Sequence, residues 1–443
     1  MLLIGNGRLV TRDSEKPYFE NGCVAIDGAY ITEVGETSAL KGKYPDAEFI
    51  DARGGVIMPG LINAHNHIYS AFARGLSING YNPQSFLEVL DGMWWTIDRN
   101  LMLDATKLSA DATFISCIEN GVTTCVDHHA SYGAIEGSLF KIAESAAEYG
   151  VRANLCYEIS DRDGEEKMRA SVKENVDFIK WCETKNSDMI KGMMGMHAPF
   201  TLSNATLDYC MSQKPESVGC HIHVAEGIYD VTENLRLHGK RPAFRLHDFG
   251  ITGPKSIFGH CTHVSEAEID LIKETDTMVS HNPESNMGNA IGCPPVLRMF
   301  EKGVCIGLGT DGYTNDMIES YKVGNILHKH NMADPAVAWG EIPAMLFEKN
   351  AEMVGRYCEK PIGVLKSGAH ADVVVMDYDP LTPMNEGNIN GHILFGMNGL
   401  NTVTTVIDGQ VKMKDRELVG VDKAQVMAKC REAAADLASR INK

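Results

Sequence analysis

The chain has 443 residues, 44% of them hydrophobic, which is enough for one barrel-sized domain with a smaller accessory unit and a sizeable core. Its formal net charge of -18, with no Lys/Arg-rich patch or arm to offset it, argues against a nucleic-acid partner, because a phosphate backbone would be repelled. Nothing approaches the roughly 18 consecutive apolar residues of a membrane span. The twelve cysteines contain no Cys-x-x-Cys pair and read as free thiols, and Met1 to Gly7 lacks the pattern of a cleaved leader, so a cytoplasmic location is expected.

The first 58 residues read as short strands divided by glycine turns. Cys23 to Ile31 places a turn between two apolar segments, and Gly35 and Gly54-Gly55 punctuate the remainder of this stretch. From Pro59 the pattern changes: an apolar run ends in His65-Asn66-His67, a helical period spans 105–120, and a strand lies over 122–127. A helix over 137–148 precedes a strand over 151–155, and a helix over 267–274 precedes a strand over 277–281. Such alternation is the signature of parallel βα units. Beyond it, 371–377 reads as a strand and 403–411 as a hairpin turning at Asp408-Gly409, while 423–440 is helical by propensity and suited to packing. The two β-rich ends are expected to meet as one composite domain, 1–58 with 361–443, around a catalytic unit over 59–360.

The histidines carry the chemistry. If the run before His65 is a strand, the i,i+2 spacing points His65 and His67 to the same side and lets them share one ion. Three later segments offer further ligands: His221 to Glu226, Gly259 to His263, and Gly307 to Gly312 with Asp311. Each residue alone is equally compatible with a capping or core-edge role. Placed in order behind strand-like runs, they point to a metal-dependent enzyme using zinc or another divalent first-row metal. Tyr69, Phe72, Arg74, Trp94 and Trp95 come soon enough after the first motif to line the opening. Arg74 is a candidate for a substrate carbonyl or carboxylate, or for a loop salt bridge, and Trp95 for stacking on a flat ring, or for the core.

Taken in order, these segments, together with Met196 to Phe200, Ser280 to Asn286 and Gly368 to Asp372, resemble the amidohydrolase superfamily and, within it, the branch of metal-dependent deaminases and chlorohydrolases. The likeness runs over essentially the whole chain. It implies an α/β fold, a (β/α)8 TIM barrel with a small discontinuous β-sandwich made from both termini. It implies His65, His67, His223 and Asp311 as metal ligands, Glu226 as proton shuttle, and His260 and Asp311 as catalytic groups beside the attacked carbon. His197 is implied on the substrate side and His281 at the rim and pocket. His221 is read as a neighbour of the site, His128-His129, after the strand over 122–127, as a candidate for lining the pocket, and His263 receives no catalytic role.

No lysine stands in the place of the bridging carboxylated residue of dinuclear relatives, which implies one divalent ion, zinc in preference to iron. The expected activity is deamination of a small N-heterocycle of purine, pyrimidine or triazine type by metal-activated water. Hydrolysis of a cyclic amide or a chlorinated ring, or a non-catalytic metal-stabilised binding protein, are the alternatives. Trp95 to Asn100 lacks the glutamate that nucleoside-using relatives place after such a helix, which implies a free base. The resemblance also implies a homo-oligomer, with a dimer preferred.

Overall fold

A computed structural model describes residues 1–443. Both termini contribute to one nine-stranded sheet. Its N-terminal strands are β1 (Leu2–Val10), β2 (Tyr18–Asp27), β3 (Tyr30–Glu36), β4 (Glu48–Asp51) and β5 (Val56–Pro59). Eight barrel strands come next: β6 (Leu61–Asn66), β7 (Val122–His129), β8 (Arg152–Tyr157), the broken pair β9 (Ile190–Gly192) and β10 (Met194–Met196), β11 (Cys220–Val224), β12 (Ile257–His260), β13 (Met278–His281) and β14 (Ile306–Leu308). The chain then returns to the terminal sheet through β15 (Val373–Met376), β16 (Thr402–Ile407), β17 (Gln410–Lys414) and β18 (Glu417–Leu418).

Antiparallel pairing of β5 with β15, from Val56 opposite Met376 to Pro59 opposite Val373, joins the two ends of the chain. The sheet curls on itself: Ile31 donates its backbone N–H to Ala369, and Gly368 donates to Ile31. Its inner side chains, among them Ile4, Leu9, Val24, Ile57, Val373 and Val406, form their own apolar core. The expected hairpin turns at Asp408 (φ 49°) and Gly409 (φ 75°), the pair of positive φ values that a two-residue turn between twisted strands requires.

Every neighbouring pair of barrel strands is parallel, with helices between them such as Leu103–Glu119, Ser138–Tyr149 and Glu165–Lys185. Parallel strands covered by helices are buried on both faces, and β6, β7, β8 and β11 are buried at every position. The ring closes where Asn66 bridges Asp311 and where Thr310 and Asp311 both donate backbone N–H groups to His65. Gly309 allows this approach, because a Cβ there would lie 2.4 Å from Asn282 Oδ1 and 2.9 Å from His65 Cβ. The C-terminal helix Lys423–Ile441 packs on the helix Leu103–Glu119, burying Cys430 and Leu437.

A buried ion pair fastens the barrel to the terminal sheet. Arg152, the first residue of β8, reaches Asp372, just before β15, at 3.1 Å, and both side chains are almost fully buried. Asp372 also accepts the Asp408 N–H at 2.8 Å, which holds the hairpin turn against the same pair. Removing the carboxylate would leave a buried guanidinium uncompensated, the costly half of such an arrangement.

Candidate active site

The chemistry-bearing residues gather at the C-terminal mouth of the barrel, where strands hand over to loops. His65 lies near the end of β6 with His67 one residue past it, and His223 lies in β11 with Glu226 two residues beyond the strand. His260 ends β12, and Asp311 lies three residues past β14. Ala225, His260 and Asp311 all adopt positive φ (48°, 66° and 54°), a conformation that costs free energy in non-glycine residues and turns each chain sharply at the site. Asp230 holds the first of these turns by accepting the Ala225 N–H at 2.7 Å, which fixes where Glu226 emerges.

Hydrogen bonds on the outer nitrogens settle which ring atoms face inward. His67 Nδ1 donates to the His128 carbonyl at 2.5 Å and His223 Nδ1 to the His197 carbonyl at 3.0 Å, so each presents Nε2 to the centre. His65 Nδ1 lies 2.9 Å from His221 Nε2, leaving His65 Nε2 buried without a partner. His221 therefore stands behind His65, on the nitrogen that turns away from the centre. His67 Nε2 is 3.2 Å from His223 Nε2 and 3.0 Å from Asp311 Oδ1. Tetrahedral bonds of about 2.0–2.1 Å place ligand atoms about 3.3 Å apart. The nitrogens of His65, His67 and His223 are close enough to share one small divalent ion, and Asp311 Oδ1 lies against His67 Nε2 at the same place.

The electrostatics agree with such a site. Burial alone would raise the Asp311 carboxyl, but the charge and hydrogen bond of His67 hold it well below the usual carboxylate range. Ser285 Oγ donates to the other Asp311 oxygen, and the Gly312 N–H donates to Oδ1 at 2.7 Å. For His67, burial favours the neutral ring, yet Asp311 overrides it and pushes the group up to about 9. A divalent ion would take the place of that proton. Burial, reinforced by Asp311, pushes Glu226 well above the ordinary glutamate range.

His260 completes the cluster. Its Nδ1 donates to Asn286 Oδ1 at 2.8 Å, which aims Nε2 at Glu226 (3.5 Å) and at Asp311 Oδ2 (3.7 Å). Around it lies a narrow cavity lined by Tyr69, Trp94, Trp95, His197, Phe86 and Leu90, among others. His197 and Trp95, expected on the substrate side, both line this cavity. Arg74 is exposed and does not line the cavity. Neither does His281: fully buried at the end of β13, it points its Nε2 at His328 Nε2, 3.0 Å away on the helix Met317–Met332. Ser285, Asn286 and the buried Glu158, which also lines the cavity, carry no role in the sequence reading. Glu158 lies three residues past the strand expected over 151–155, with no spacing to mark it.

The model of the amidohydrolase family matches residues 56–412, spanning the whole barrel and its return to the terminal sheet. The chain belongs to the amidohydrolase family. It is 31% identical over 395 residues to a 5'-deoxyadenosine deaminase of Methanobrevibacter smithii, covering 88% of each chain. With a 5-methylthioadenosine/S-adenosylhomocysteine deaminase of Thermococcus onnurineus it shares 32% identity over 83% of this chain and 85% of the other. Among solved structures, an adenosine deaminase from Xanthomonas campestris with bound zinc superposes with a TM-score of 0.85 at 23% identity, covering 99% of this chain and 98% of that one. The amidohydrolase identity makes this barrel a metal-dependent hydrolase acting on C–N bonds other than peptide bonds, and a TIM barrel with a β-rich terminal sheet is the fold expected from the sequence. No helix is long and apolar enough to cross a membrane.

Proposed function

We propose that this amidohydrolase deaminates the 6-amino group of a purine nucleoside through one zinc ion held by His65, His67, His223 and Asp311. The observation that carries the reading is the cluster of three inward-facing imidazole nitrogens, with the Asp311 carboxylate against His67 and, beside them, a glutamic acid that burial holds well above its usual range. Zinc is supported by the nitrogen and oxygen donor set and by the ion in the Xanthomonas structure. The names of the relatives move the substrate from the free base implied by residues 95–100 toward a nucleoside. Residues 59–360 are the catalytic barrel in this reading, with 1–58 and 361–443 as one supporting unit, which the β5–β15 pairing favours.

Bound in such a site, a divalent ion lowers the pKa of a ligated water from about 16 to about 7. The residues of the chain handle the protons. Asp311, held ionised, accepts the proton given up as water attacks the amidine carbon, while neutral His260, with its Nε2 turned inward, orients that water. Glu226 delivers a proton to the ring nitrogen, which neutralises charge building on the ring, and the proton taken by Asp311 then passes through Glu226 to the departing amine. Trp94 and Trp95 line the cavity and supply aromatic surface for a flat ring.

The test is ammonia release from 5'-deoxyadenosine, 5-methylthioadenosine and adenine by zinc-loaded protein. The two nucleosides should be turned over with kcat/KM at least tenfold above that of adenine. Conversion of purines only by ring opening, with a gain of water and no ammonia, would refute deamination.

A homodimer is the proposed assembly. Ile326, Met332, Trp339, Phe395 and Leu400 are exposed apolar side chains on or next to the packed helices Met317–Met332 and Ile389–Gly396, and a partner surface would cover them.

A further inference from the structure

Past the proposed metal ligands, the inner wall of the cavity is formed by Glu158. β8 ends at Tyr157 and Glu158 is the next residue, so its side chain enters the barrel mouth, where it is only 4% exposed. Its carboxylate makes no hydrogen bond within the chain. The nearest polar atoms are three imidazole nitrogens: His128 Nδ1 at 3.6 Å, His197 Nε2 at 3.7 Å and His223 Nδ1 at 3.7 Å. Arg162, the neighbouring cation, is engaged by Asp98 at 2.5 Å.

The remaining bonds of those rings fix where their protons sit. His128 Nε2 lies 3.0 Å from the Met196 carbonyl and 3.1 Å from the His221 carbonyl, so Nε2 carries the proton and Nδ1 is a bare lone pair. His197 Nδ1 lies 2.8 Å from Thr201 Oγ1, whose own proton goes to the Ala198 carbonyl at 3.0 Å. The His197 proton is therefore on Nδ1, and Nε2 faces Glu158 as an acceptor. His223 Nδ1 has already given its proton to the His197 carbonyl. This rules out a second ion between His128, Glu158 and His223, since the nitrogen that would ligate it is protonated. It also leaves two ring acceptors facing the Glu158 carboxyl, which burial pushes up to about 7: ionised it donates to neither, and protonated it can satisfy only one of them. Buried acceptors in that condition are costly, and a bound molecule can relieve the cost by supplying donors.

We propose that Glu158 is the specificity-determining residue of the cavity, accepting a pair of N–H or O–H donors from the substrate while His197 Nε2 accepts a third. The contact lies on the side of the His223 ring opposite its metal-facing nitrogen. Two chemical sources fit a carboxylate fork: adjacent ring N–H groups of an amidine-type heterocycle, or the neighbouring hydroxyls of a ribose. This inference rests on the aminohydrolase reading of the same cavity.

Calorimetry on zinc-loaded protein tests it with probes for each source. Benzamidine is a flat cation with a two-nitrogen donor edge, and adenosine against 2',3'-dideoxyadenosine isolates the two hydroxyls. Glu158→Gln, which keeps the size of the side chain and replaces one acceptor oxygen with an NH2, should weaken at least one of benzamidine and adenosine tenfold or more. Zinc content and 2',3'-dideoxyadenosine affinity should stay unchanged. Loss confined to benzamidine assigns the ring N–H source, and loss of the advantage of adenosine over its dideoxy analogue assigns the diol. Equal affinities for parent and variant, or no binding of either donor-bearing probe to the parent, overturn the proposal. If Glu158→Gln does not fold, Glu158→Asp, one methylene shorter, must show the same selective weakening. Absence of ammonia from every purine, with benzamidine binding still dependent on Glu158, would refute the reaction and leave this assignment standing.

Discussion

Replacing His65 and His67 together by alanine should remove both the bound metal and all measurable turnover. The two rings enter the cluster from one short segment, and each is held in place by a bond on its far nitrogen, to His221 for His65 and to the His128 carbonyl for His67. Their loss leaves His223 and Asp311, two donors where a stable divalent site needs three or four. Asp311 also loses the partner that holds its carboxyl down, so the remaining pair becomes a poorer ligand set. Elemental analysis should give about one zinc per parent chain and near none in the variant. A variant that keeps its zinc would show that the ion sits elsewhere.

Glu226→Gln should separate chemistry from metal binding. The amide keeps the shape of the side chain and cannot carry a proton through the reaction, so turnover should fall by about 10²-fold or more while metal content stays at the parent level. Glu226 is free to act in this way because Ala225 and the Asp230 bond set its position without using its carboxylate. The titratable groups beside it include those it works with, His260 at 3.5 Å and Asp311. Rates for variant and parent that coincide across a pH series would remove the shuttle role and favour a metal-stabilised binding protein.

Much of the site is legible in the sequence because it is written in short-range geometry. His65 and His67 share a side through strand periodicity, and Glu226 lies within a single turn of His223. The strand starts at Val122, Arg152 and Met278 lie within two residues of the positions given by apolar runs, as do the helices Leu103–Glu119 and Glu266–Glu274. The features that escape depend on contacts distant in sequence. The strand predicted over 151–155 stops short of Tyr157, so Glu158 falls outside it and has no spacing partner to mark it. His281 reads as a rim residue, but the helix Met317–Met332 brings His328 against it. Ser285 and Asn286 sit inside a motif-bearing segment, yet their work as clamps on Asp311 and His260 exists only once β12, β13 and β14 are side by side. The backbone turns at Ala225, His260 and Asp311 are not legible in the sequence: aspartate and histidine take positive φ more readily than most residues, but alanine does not, and none of the three by itself marks a turn.

The central claim is that this barrel uses its bound metal to replace a purine amino group with oxygen from water. The most direct measurement is mass spectrometry of the product formed from 5'-deoxyadenosine in ¹⁸O-enriched water, with ammonia assayed in the same sample, before and after metal removal and zinc readdition. The account predicts one ¹⁸O atom in place of the amino group and one ammonia per product, with both lost on chelation and both restored by zinc. Full activity after exhaustive metal removal would contradict it.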